Sequence, residues 1–153
     1  TNGKYYEAYA YNEVSIMRQT HLASKIQIKI NNEIKMQELI CDGVLVSTSA
    51  GSTAYNLSAH GSILPLDSNI LALTPISAFR PRRWRGALLS EKNIITINVL
   101  NFKDRQVSVT ADNLEFRNIK EVTIESSSDK SCKILFDNKH SIEDKILNEQ
   151  FEY

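Results

Sequence analysis

From Ser47 to Thr53 the chain reads STSAGST, with hydroxyls on most positions around one glycine. An apolar, strand-like run, Val44-Leu45-Val46, precedes it. Ala54, Tyr55, Leu57, Ser58 and Ala59, which a short helix tolerates, follow. A strand turning through such a loop into a helix gathers hydroxyls and unpaired backbone N–H groups at one spot, and Ser52 or Thr53 is placed to cap the helix. Gly51 permits a sharp turn or a close backbone approach to a ligand. The chemistry on offer is hydrogen bonding to a phosphate, a ribose or another polar ligand. The same composition also serves an ordinary turn with its cap.

Other candidates for chemistry are sparser. Asn12-Glu13 sits where a strand ends or bends, and offers an amide with donor and acceptor beside a carboxylate. Read alone, the pair is a solvated strand edge. Asp42, ahead of Gly43, reads alone as a turn residue accepting local N–H bonds. Phe79 to Arg85, FRPRRWR, interleaves arginines with aromatics. Arginine clusters bind carboxylates at interfaces, cofactor phosphates and nucleic acids. In a chain of zero formal net charge the interface or structural reading comes first, a phosphate second and nucleic acid last. His21, His60, His140, Cys41 and Cys132 show no metal-ligand spacing. AGSTA is not the Gly-x-Ser-x-Gly turn of a hydrolase nucleophile.

The elements that must position these residues are mostly strands. Residues 1–11 continue into Asn12 to Ile16 as one long strand or a strand with a bend. Ile26, Ile28 and Ile30 alternate with Lys25, Gln27 and Lys29, and Asn31-Asn32 predicts a hairpin turn into Ile34 to Met36. Ile70 to Leu73, closed by Pro75, then Ile95 to Val99, Val107 to Ala111, Val122 to Ile124 and Ile134 to Phe136 read as further strands. Ile142, Ile146 and Leu147 share a helical face behind a Ser141/Asp144 cap. The pattern predicts a single, mainly β, sandwich-like domain over residues 1–153, with one short internal helix and a C-terminal helix. At 153 residues it can bury a real core. No apolar run reaches membrane-spanning length and no secretory leader is evident, so a cytoplasmic chain with buried, reduced thiols is expected, away from membranes and nucleic acid.

Three segments, in order and at fitting distances, carry a family resemblance. Asp42 to Tyr55, DGVLVSTSAGSTAY, with Ser58-Ala59 after it, resembles the signature run of NAD kinases. Asn12-Glu13 resembles the family's Asn-Glu pair, and LTPISAFRPR, Leu73 to Arg82, its third conserved segment. The resemblance covers roughly Tyr9 to Leu89. Two departures stand out: Ser49 where the family usually has proline, and His60-Gly61-Ser62 where it has Gly-Gly-Pro.

The resemblance implies a C-terminal, NAD-binding β-rich domain of a two-domain kinase that phosphorylates the adenosine-ribose 2′-hydroxyl of NAD from ATP. It assigns Asn12 and Glu13 to the adenosine end of NAD near the reacting ribose, Asp42 to the nicotinamide side and a subunit boundary, and Thr53, Ala54, Tyr55 and Ser58 to dinucleotide contacts. The family's Gly-Gly-Asp-Gly motif, whose aspartate would activate the hydroxyl and whose loop would hold phosphates with Mg²⁺ or another divalent ion, does not occur in this sequence. The resemblance therefore implies no catalytic group and no metal site of the chain's own, an α/β domain absent from it, and a homo-oligomer, dimer or tetramer. A stand-alone nucleotide-binding module and a related lipid kinase are the competing readings.

Overall fold

The computed structural model describes residues 3–133, 135, 147, 148, 150 and 151. Among the described residues there are ten strands: β1 Glu13–Arg18, β2 Ser24–Ile30, β3 Glu33–Cys41, β4 Gly43–Ser47, β5 Ile70–Ile76, β6 Ala87–Ser90, β7 Ile95–Val99, β8 Val107–Ala111, β9 Leu114–Arg117 and β10 Glu121–Ile124. They form two antiparallel sheets, one in the order β6-β5-β4-β1-β8-β9, the other β10-β7-β2-β3. Between β4 and β5 lie one 3-10 turn, Ala50–Thr53, and one short helix, α1 Tyr55–Ser58. Leu147, Asn148, Gln150 and Phe151 are helical, as the expected C-terminal helix requires. The mainly β, two-sheet expectation holds.

The core lies between the sheets. Ile16, Val44, Val46, Leu73 and Val109 from the first meet Ile26, Ile28, Leu39, Ile95 and Ile97 from the second, all buried. Side chains alternate along a strand, so the odd-numbered neighbours of Ile16, Val44 and Val46 face the other way. The register carries this across the sheet: Glu13 pairs with Ser47, Ser15 with Leu45 and Thr110, Met17 with Gly43 and Ser108, and Leu45 with Thr74. The outer face of the six-stranded sheet is therefore a floor rich in small and hydroxyl residues. The loop from Ser47 to Gly61 lies over it, which is why β4 is buried on both faces.

Several expectations are corrected. Of the strand predicted over residues 1–11, the described residues 3–11 form none: β1 begins at Glu13, and the N–H groups of Tyr11, Asn12 and Glu13 bond instead to the Asp112 carboxylate. Tyr5, Tyr6, Tyr9 and Tyr11 are consequently exposed. Pro75 does not close β5, which runs to Ile76. β6 pairs only with Ile70 to Leu73, so beyond Leu73 that side of β5 has no partner whose ladder a missing N–H could break. Asn31 and Asn32 do take positive φ, 52° and 66°, in the β2–β3 turn. Leu135 is not in a strand, and the other residues of the predicted Ile134–Phe136 strand lie outside the described residues, as does the Ser141/Asp144 cap. Of the two free cysteines, Cys41 is buried as expected and Cys132 is exposed. Among the described residues no helix is long and apolar enough to cross a membrane.

Candidate functional site

The STSAGST loop is held from below by its own polar side chains. Ser49 Oγ donates to the Ser68 carbonyl at 2.8 Å. Ser52 Oγ donates to the Ser49 carbonyl at 2.8 Å and accepts from the Leu64 N–H at 2.9 Å. Asn56 donates to the Ser52 and Ser62 carbonyls and accepts from the Thr74 hydroxyl at 2.7 Å. Ser52 and Asn56 are fully buried, and each unpaired group there would cost about 1–3 kcal/mol. The network thus fixes the loop to the sheet floor.

This placement corrects the predicted cap. Neither Ser52 nor Thr53 caps α1 through its side chain; Ala54 occupies the cap position, because Ser52 is spent on the inward network. Gly51 N–H donates to Thr48 Oγ1, Ser52 N–H to the Ser49 carbonyl and Ala54 N–H to the Gly51 carbonyl. These N–H groups are satisfied within the loop and form no open anion cradle. What the loop presents outward is side chains. Residues 52 and 56 point in, so Thr53, Ala54, Tyr55 and Ser58 are left on the accessible side.

The Asn-Glu pair is brought against this loop. The Asn12 carbonyl accepts from the Thr48 N–H at 2.9 Å, from Thr48 Oγ1 at 3.2 Å and from Ser47 Oγ at 3.4 Å. Thr48 Oγ1 also donates to the Tyr11 carbonyl at 2.7 Å. The fit is close enough to demand glycine at 51: a Cβ there would stand 2.5 Å from the Asn12 carbonyl carbon. The Asn12 carboxamide makes no hydrogen bond among the described residues. Glu13 Oε2 is buried without a partner. Burial, and then the neighbouring Asp112 charge, push the Glu13 carboxyl above its ordinary range.

Asp42 lies at the opposite end of β4 from the loop. It accepts from Arg18 Nε at 2.6 Å, and both side chains stay partly exposed. Tyr55 spans the distance between the two ends: its hydroxyl reaches Met17 Sδ at 3.7 Å, and Met17 pairs with Gly43 beside Asp42. The structure sets Asn12 and Glu13 against the loop that carries Thr53, Ala54, Tyr55 and Ser58, with Asp42 at the far end of β4. Sequence reasoning missed Asp112 and Thr48, which fix the Asn-Glu pair. Thr48 was legible as one hydroxyl among many. Asp112, a hundred residues away, carried no local signal.

The arginine segment is anchored to the fold. Phe79 and Arg80 donate through backbone N–H to the Ile40 carbonyl, and Ile40 donates back to Arg80. The Arg80 and Arg82 guanidiniums lie over the Phe79 ring at 5.6 and 5.1 Å, and Trp84 packs on the core. Among the described residues no three His, Cys, Asp or Glu side chains converge.

Known proteins resemble this chain in sequence and in fold. An NAD kinase of Rickettsia rickettsii (strain Sheila Smith) is 55% identical over 151 residues, 99% of this chain and 59% of the relative. That of Rickettsia bellii is 55% identical over 150 residues, again 59% of its length. The chain thus spans under two thirds of these relatives. Among solved structures, an NAD kinase from Archaeoglobus fulgidus in complex with ATP superposes with a TM-score of 0.69 at 26% identity, over 78% of this chain and 46% of that one. Yeast NADH kinase complexed with NADH gives 0.67 at 27% identity, over 74% and 33%. Residues 11–136 match the ATP-NAD kinase C-terminal domain, and the chain belongs to that family.

Proposed function

We propose that this chain is the dinucleotide-binding part of an NAD kinase, an enzyme that transfers the γ-phosphoryl group of ATP to the 2′-hydroxyl of the adenosine ribose of NAD. The observation that carries the reading is the outer-face juxtaposition. Asn12-Glu13 is locked against a loop that turns Thr53, Ala54, Tyr55 and Ser58 outward, and the Thr53 and Ser58 hydroxyls make no hydrogen bond among the described residues. Such groups are available to hydroxyls and rings of a ligand, while the inward groups hold position.

In this reading Asn12 and Glu13 bind and orient the adenosine ribose, Thr53 and Ser58 offer hydroxyls, and Tyr55 lays its ring on a base. Asp42 meets the nicotinamide side. Positioning of this kind converts binding into rate by holding reacting atoms in line. Activation of the 2′-hydroxyl and handling of the triphosphate belong to groups outside this chain. A divalent ion would travel with ATP; the described residues bring no suitable donor set together, so no step here runs through a metal. The chain alone is accordingly inactive. A homo-oligomer goes with the family resemblance, and two free thiols suit a cytoplasmic setting.

The test uses the full-length kinase carrying this sequence, with ATP, Mg²⁺ and NAD. Tyr55→Ala should raise the KM for NAD, leaving the KM for ATP unchanged. Loss of base stacking is worth about 1–3 kcal/mol, or about 5- to 150-fold. A variant that weakens ATP while sparing NAD would assign the loop to the other substrate.

A further inference from the structure

We propose that Asp112 is a positioning residue for the dinucleotide site, setting where β1 begins and hence where Asn12 and Glu13 present their side chains. The inference rests on the reading of that site given above.

Asp112 follows β8 directly, in the turn to β9. Its Oδ2 accepts from the Tyr11 N–H at 2.6 Å, and its Oδ1 from the N–H groups of Asn12 at 3.0 Å and Glu13 at 3.1 Å. Its own N–H donates to the Glu13 carbonyl at 3.2 Å. One carboxylate thus takes three successive backbone donors, each bond strengthened by its charge. The residue does so at a φ of +49°, in the left-handed region that aspartate tolerates better than most side chains.

The run it interrupts, KYYEAYAY, is rich in strand-forming tyrosine and would extend β1 if its N–H groups were offered a ladder. With the carboxylate in their place the chain turns at Asn12, and the Asn12 carbonyl meets Thr48 and Gly51. Glu13 becomes the first outer-face residue of β1. Asp112 therefore acts on a ligand only through the dipeptide it holds. A carboxamide at 112 keeps an acceptor for one side of this arrangement; a methyl group keeps none.

The experiment compares Asp112→Ala and Asp112→Asn with the unaltered full-length kinase. Amide hydrogen exchange at Tyr11, Asn12 and Glu13 should quicken in Asp112→Ala, with Ile16 unchanged. In the same variant kcat/KM for NAD should fall about 100-fold, the usual consequence of a displacement near 1 Å, with KM for ATP unchanged. Asp112→Asn should recover most of that loss. A fall shared equally by NAD and ATP, with no rescue by asparagine, would reduce Asp112 to a stability residue and overturn the inference. Should the alanine variant fail to fold, Asp112→Ser, which cannot accept from all three N–H groups, takes its place, and NAD constants identical to wild type in that variant would overturn the inference as well. Normal turnover by the unaltered kinase with an unaffected Asp112→Ala sinks this inference alone. Absence of NADP formation by the unaltered kinase sinks the reading beneath it too.

Discussion

Gly51→Ala sets two effects of opposite sign against each other. Gly51 does not have positive φ, so alanine meets no backbone penalty there and would by itself stabilise the fold by about 0.4–1 kcal/mol through the unfolded chain. Against this, the new Cβ falls on the backbone of Asn12, 2.5 Å from its carbonyl carbon and 2.6 Å from its Cα. Restoring the 3.4 Å at which ordinary contact begins moves that carbon by 0.9 Å. Neither partner can yield as a flexible side chain would, since both are backbone. The Asn12 carbonyl would lose its bonds from Thr48 and Ser47, each worth about 1 kcal/mol net. The clash should win, lowering stability by about 2–3 kcal/mol after the entropic gain is subtracted. Because Asn12 moves with its carbonyl, kcat/KM for NAD should fall by about 100-fold in the full-length kinase. Thermal melts and initial rates with NAD and ATP varied in turn measure both. A variant with unchanged melting temperature and NAD constants would refute the claim that the loop and the Asn-Glu pair are locked by this contact.

Three further outcomes follow from individual residues. His60 follows α1 at a φ of +63°, where the family usually has glycine, so His60→Gly should stabilise by about 0.5–1 kcal/mol and raise the melting temperature by about 2 °C; a fall in a thermal scan would contradict the strain. Burial pushes the Cys41 thiol up to about 11, so a maleimide at neutral pH should label Cys132 and leave Cys41 unmodified until the protein unfolds; mass spectrometry of the labelled peptides reads this directly. Glu13 has a folded pKa above its ordinary 4.5, so its ionised form costs stability above the folded pKa and nothing below the unfolded one. Glu13→Gln should therefore be the more stable protein in urea titrations at pH 7, with the gap closing as pH falls through that window; a gap that widens in acid would reverse the assignment.

Local pattern made the two-sheet fold readable. Ile26, Ile28 and Ile30, then Ile95, Ile97 and Val99, alternate because one face of each strand meets the core, and the same rule marks Val107 and Val109. The strands it missed, Ala87–Ser90 and Leu114–Arg117, are short edges with much of their surface exposed, so little apolar contrast is imposed on them. The tyrosine run from Tyr5 to Tyr11 misled for the opposite reason: its strand propensity is real, but a carboxylate distant in sequence takes the N–H groups first. Thr53, Ala54, Tyr55 and Ser58 were found through a resemblance. The reason they face outward is tertiary: Ser52 and Asn56 are drawn inward by Leu64, Ser62 and Thr74, partners that no local window contains.

The distribution of polar satisfaction separates what holds the site from what serves it. Beneath the loop, Ser49, Ser52 and Asn56 have partners for their buried groups, and Gly61 leaves the room that Asn56 needs: a Cβ there would stand 2.7 Å from Asn56 Nδ2. Beside it lie a buried Glu13 oxygen with no partner, an Asn12 carboxamide with no hydrogen bond among the described residues, and an aspartate at positive φ holding both residues in place. A fold optimised for stability alone would neutralise Glu13 and relax the turn at Asp112. Unmet hydrogen-bonding capacity concentrated on one face, over a rigid and fully bonded support, is the arrangement by which a ligand can be bound without first breaking contacts within the protein.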